Sequence, residues 1–80
     1  MDRQEILKQV NNIFIDVLDD EDIVIGEKTQ AKDVDEWDSL THIQLVVAIE
    51  KHFKIRFTSK EIQSWNDVGE MFNTIQEKGI

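Results

Sequence analysis

Asp38, Ser39 and His42 bring a carboxylate, a hydroxyl and an imidazole close together in the sequence, and these are the groups of nucleophilic catalysis. Ser39 and His42 stand at i and i+3, within side-chain reach on a helix. A hydrolase also needs a base oriented by a third group, an oxyanion site and a substrate cleft. Asp38, however, precedes a long apolar run and is better employed as its N-cap, accepting from the free backbone N–H groups of the first turn. With that carboxylate occupied, no catalytic residue is expected, and His42 reads as a surface residue. Ser39 then sits on the first turn with its hydroxyl toward solvent. A helix N-terminus favours negative charge, so a phosphate attached there would be stabilised. Two readings stay open at this level: a cap and nothing more, or a site of modification.

Other site chemistry finds little footing. His42 and His52 do not share a helix face as i, i+4 metal ligands do. A calcium loop counted from Asp20 puts Ile25 where an EF-hand needs glycine, which leaves only diffuse cation binding. Gly26, Gly69 and Gly79 are too dispersed to cradle a phosphate. With no cysteine, disulfides, thiolate nucleophiles and zinc-thiolate sites are excluded. No metal site is expected.

The 80 residues are 40% hydrophobic and 32% charged, a globular balance, and predict a single domain over 1–80 with little room for a deep pocket. No window approaches the roughly 18 apolar residues of a membrane span, so no membrane insertion is expected. The start, Met1-Asp2-Arg3-Gln4-Glu5, lacks the pattern of a signal peptide, and a cytoplasmic chain is the simplest expectation. The net charge is −8, and from Asp16 to Asp38 ten acids stand against Lys28 and Lys32 alone. That argues against nucleic acid as a partner, because the phosphate backbone demands a basic surface. A basic protein surface is the natural complement, and a merely solubilising loop is the alternative.

The elements that must position these groups are helical. Ile6, Val10, Ile13, Phe14 and Val17 predict a first helix from Arg3 to Leu18. Asp19 to Trp37 has no period and reads as a long loop pinned by Ile23, Val24, Ile25, Val34 and Trp37. A second helix should run from Ser39 to His52. Thr58-Ser59-Lys60-Glu61 has capping-box spacing and should open a short third helix ending near Ser64. Asn66 is expected to cap a fourth, carried by Val68, Met71, Phe72 and Ile75 and ended by Gly79. The core should then comprise Ile6, Val10, Phe14, Leu45, Ile49, Phe53, Val68, Phe72 and Ile75. Helix two, with Ile43, Leu45, Val46, Val47, Ala48 and Ile49, is more apolar than one buried face requires. Either Leu40 and Val47 flank Ser39 on an exposed strip for a partner, or the helix is packed on several sides.

Asp38-Ser39-Leu40, the apolar helix behind it, Ala48-Ile49-Glu50, Phe53, the Thr58 capping box and Val68 together resemble the acyl carrier protein family. The likeness runs from about Glu36 to Ile75 and rests on length and pattern alone over helix one. It implies an all-α, small four-helix bundle with a long first loop and a short third helix. It also implies that Ser39 carries a covalent 4′-phosphopantetheine from coenzyme A, on whose thiol acyl groups ride as thioesters. Such a carrier is not an enzyme. Its expected partners are a phosphopantetheinyl transferase and acyl-loading, acyl-transfer or condensing enzymes with basic docking surfaces, and it should be a monomer. Thr41, His42 and Gln44 replace acids typical of the family, and Asp35-Glu36-Trp37 replaces a glycine-rich approach. Both departures favour a specialised stand-alone carrier over bulk fatty-acid synthesis, and Asp38 favours acyl over peptidyl cargo. Steering is therefore expected from Asp33, Asp35, Glu36 and Asp38, with Leu40 and Val47 as the apolar contact. Protonation of His42 near about pH 6 would weaken that steering. The competing reading is an unmodified helical interaction module.

Overall fold

The computed structural model describes all residues from Met1 to Ile80 and contains four helices and no strand. Asp2 opens α1 (Arg3–Leu18) by accepting from Glu5 N–H, and its buried Ile6, Val10, Ile13, Phe14 and Leu18 form one stripe. Asp19 ends the helix in the left-handed conformation at φ 53°. After the loop comes α2 (Ser39–Phe53), which Lys54 closes at φ 59°. Thr58 and Glu61 form a reciprocal capping box at the start of the short α3 (Ser59–Ser64).

The fourth helix, α4 (Val68–Glu77), is capped by Asp67 and not by the expected Asn66. Asp67 accepts from Glu70 N–H at 3.0 Å, while the Asn66 N–H donates to the Glu70 carboxylate at 2.6 Å. The shift by one residue lets the carboxylate, the stronger acceptor, take the cap. Gly79 follows at φ 91°, where an L side chain would be strained.

All nine expected core residues are buried, joined by Ile13, Leu18, Ile23, Ile25, Trp37 and Met71. The first helix packs chiefly on α2 and also touches α4, and α3 packs on α4. The long loop is a structural layer in its own right. Ile23, Ile25 and Trp37 are its buried anchors, Val34 is half-buried, and Val24 is 87% exposed, contrary to expectation. Strand-like alternation explains Val24: with Ile23 and Ile25 turned inward, the residue between them must face out.

Backbone pairing fixes the loop where hydrophobicity alone would not. The Asn11 side chain donates to Ile23 C=O and accepts from Ile25 N–H. Val68 N–H donates to Thr29 C=O and Gly69 N–H to Glu27 C=O. A short 3₁₀ turn at Ala31–Asp33, not foreseen from the sequence, precedes the approach to α2. Arg3 ties the two chain ends to this loop. Its guanidinium reaches the Glu27 carboxylate, Asn73 Oδ1, Gln76 Oε1 and the Gly69 carbonyl, and lies over the Phe72 ring. No helix is long and apolar enough to cross a membrane.

Candidate functional site at the start of the second helix

Ser39 is the first residue of α2 and is exposed. Asp38 precedes it in extended conformation, and its Oδ1 accepts from Leu40 N–H at 3.0 Å and Thr41 N–H at 2.9 Å. Those bonds, with Thr41 first, hold the Asp38 carboxyl below its ordinary pKa, since each favours the charged form. Thr41 returns the cap. Its hydroxyl accepts from Asp38 N–H and donates to Glu36 C=O, both at 2.8 Å. The turn Glu36–Ser39 is thus clamped from the helix behind it.

A second clamp joins side chains. Trp37, 9% exposed, meets Phe14 of α1 edge-on at 5.0 Å and donates its indole N–H to His42 Nδ1 at 3.1 Å. His42 stacks on Trp37 and meets Trp65 edge-on, so it is half-buried and not the surface residue that the sequence suggested. Burial lowers its pKa, so its charge change comes at a lower pH than that of an ordinary histidine. The imidazole turns to Trp37 instead of Ser39, and Asp38 is spent on the cap. No Ser-His-Asp relay is assembled.

Asp35, Glu36 and Asp38 are all exposed around Ser39. Asp20, from the far end of the loop, pairs with Glu36: the hydrogen bond between the two carboxyls raises Glu36 and lowers Asp20. No cluster of acids and histidines is arranged to hold a metal ion. Along the outer face of α2, Leu40 is 66% exposed and Val47 42%, with Ile43 between them at 62%. Ile43 was missed by the sequence reading, although its i+3 spacing from Leu40 was the available signal. The inner face buries Leu45, Val46 and Ile49. The helix therefore has one core face and one uncovered apolar strip that begins beside the serine.

A phosphodiester on Ser39 fits this end of α2. The hydroxyl faces solvent, the helix dipole favours an anion, and the nearest negative charge is already engaged by backbone N–H groups.

Comparison with known proteins adds three findings. The family described as "Phosphopantetheine attachment site" matches residues 8–75. An acyl carrier protein of Picosynechococcus sp. is 40% identical over 76 residues, covering 94% of this chain and 93% of that one. The solution structure of holo acyl carrier protein from Geobacter metallireducens superimposes with a TM-score of 0.84 at 40% identity, over 90% of this chain and 83% of that one. By this kinship the chain bears a covalently attached phosphopantetheine and carries its cargo without catalysing its conversion. It works with a phosphopantetheinyl transferase and acyl-processing enzymes. The chain belongs to the acyl carrier protein family.

Proposed function

We propose that residues 1–80 act as one stand-alone carrier domain whose arm is attached at Ser39. The observation that carries this reading is an exposed serine on the first turn of α2, next to a cap whose charge is already engaged. In loading, Ser39 Oγ attacks the β-phosphorus of coenzyme A, with Mg²⁺ and a base supplied by the transferase. A phosphodiester forms, 3′,5′-ADP leaves and the base takes the hydroxyl proton. The arm's thiol then holds acyl groups as thioesters. The other serines are worse placed: Ser64 donates to Glu61 C=O, and Ser59 belongs to the six-residue α3.

The test is intact mass after incubation with coenzyme A, Mg²⁺ and a broad-specificity transferase. One phosphopantetheinyl group should be gained, and Ser39→Ala should gain none. An unchanged wild-type mass would leave an unmodified interaction module as the better reading.

Asp35, Glu36 and Asp38 form the charged part of the docking surface, and Leu40, Ile43 and Val47 the apolar part. The complementary partner presents basic residues around an apolar socket. Thr41, His42 and Gln44 remove acids from the start of α2, which supports a specialised acyl pathway over bulk fatty-acid synthesis. The carrier works as a monomer in the cytoplasm, where coenzyme A is supplied.

A further inference from the structure

The bond between Trp37 and His42 fixes a protonation state. An indole N–H is a donor only, so His42 Nδ1 must present a lone pair, and the neutral ring carries its proton on Nε2. His42 also lines a cavity of about 90 Å³ with Trp37, Trp65, Asn66 and Asp67. The ionisable residues that line a cavity together with His42 are both acids. Asp67 faces it from the start of α4 and Glu50 from its own helix, with Asp38 one turn before. Asp67 is bonded to Glu70 N–H, Glu50 to Phe57 N–H and Asp38 to Leu40 and Thr41. These carboxylates favour an imidazolium, whereas burial of the ring and the indole donor oppose it. Burial prevails, and His42 stays neutral to a lower pH than an ordinary histidine.

Adding a proton to Nδ1 would set two N–H donors against each other across 3.1 Å. Either the imidazole swings out and leaves a buried indole N–H without a partner, or Trp37 withdraws from Phe14. Both slacken the tie between the core and the residue two before Ser39. The cap bonds of Asp38 and Thr41 would then hold the Glu36–Ser39 turn without the aromatic tie to the core.

We infer that His42 is a positioning residue for Ser39: its neutral ring latches Trp37 and the Glu36–Ser39 turn, and protonation unlatches them, so that acid gates the loading of the serine. The inference rests on Ser39 as the attachment point.

The first measurement needs no loading. In the unloaded chain, the Trp37 indole N–H and Ser39 amide NMR signals should move with the His42 ring titration, at a midpoint below the ordinary histidine value. In His42→Gln, which offers an acceptor but does not titrate, both should stay flat. Trp37→Phe keeps an aromatic ring against Phe14 without the donor, and there the His42 midpoint should rise. Signals indifferent to His42, or an unmoved midpoint in Trp37→Phe, would overturn the latch.

The second is transferase kcat/KM with coenzyme A and Mg²⁺ across pH. Dividing wild type by His42→Gln cancels the transferase's own pH dependence. The ratio should fall by more than about twofold between about pH 7 and about pH 5, the range in which a histidine becomes charged. A chain never loaded at any pH removes the attachment reading and this inference together. A chain that loads with a flat ratio removes this inference alone.

Discussion

Glu36 and Asp38 are two carboxyls on the same approach to Ser39 with opposite tendencies. The Asp20 carboxyl beside Glu36 favours a proton there, whereas backbone N–H donors to Asp38 favour its charge. As the solution is acidified, Glu36 therefore gives up its charge before Asp38 does. Exposed charges attract over a Debye length of about 8 Å at physiological salt, so steering belongs to the association rate. Asp35→Asn with Glu36→Gln should load more slowly than wild type at low salt and converge with it as salt rises, at unchanged helix content. Equal loading at low salt would reduce the acidic approach to a solubilising loop. His42 adds a pH dependence to stability near neutrality. Its folded pKa lies below the unfolded value of about 6.5, so the unfolded chain binds more protons between the two. The stability of the neutral ring is full above about pH 6.5 and is lost as the pH falls through the folded value. A urea midpoint that declines over that interval in wild type, but less in His42→Gln, checks the sign. The Asp38 cap and the place of Ser39 on the first turn were legible from sequence because a cap is a local device. The environment of His42 was not, since the ring that buries it, Trp65, lies on the far side of α3.

Helix limits were legible for the same local reason. Capping carboxylates and hydroxyls bond within three residues, and Arg3–Leu18 emerged as expected, with Ser39–Phe53 one residue longer than expected. The attachment of the loop to α4 was not legible, because a backbone N–H has no residue signature. Gly69 is the critical position. Its N–H meets Glu27 C=O at 2.6 Å, and a Cβ there would lie 2.8 Å from the same oxygen. That oxygen is backbone and cannot swing aside as a flexible side chain would. Gly69→Ala should therefore destabilise the fold by about 1–3 kcal/mol, the usual cost of overpacking, read as a lower urea midpoint. A variant as stable as wild type would show that loop and helix separate easily.

The whole molecule has a Cα radius of gyration of 11.4 Å and a core drawn from three helices and the loop. Its expected core was legible because the 3.6-residue period survives in α1 and α4. The loop's share of it was only partly so, because a short apolar run does not say which of its residues turns inward. In a domain of this size, one large side chain is a sizeable part of total stability. Phe53 ends α2 and is buried in that core. Phe53→Ala should cost about 3–5 kcal/mol, enough to leave much of the chain unfolded by far-UV circular dichroism at room temperature. A cooperative, fully folded variant would mean that the site collapses around the missing ring.

Arg3 is the third residue of the chain, yet four of its partners lie in the last helix and its turn: Gly69, Phe72, Asn73 and Gln76. Local opening in small domains normally begins at the ends and proceeds independently at each. Here one guanidinium bonds both ends, so loosening at one should be felt at the other. Arg3→Gln should therefore speed amide exchange in α4 as well as in the first turn of α1, and unchanged exchange in α4 would show that the ends open separately. Anything joined to the first residues, a tag or a neighbouring domain, should be felt as amide exchange in the last helix before it is felt at Ser39.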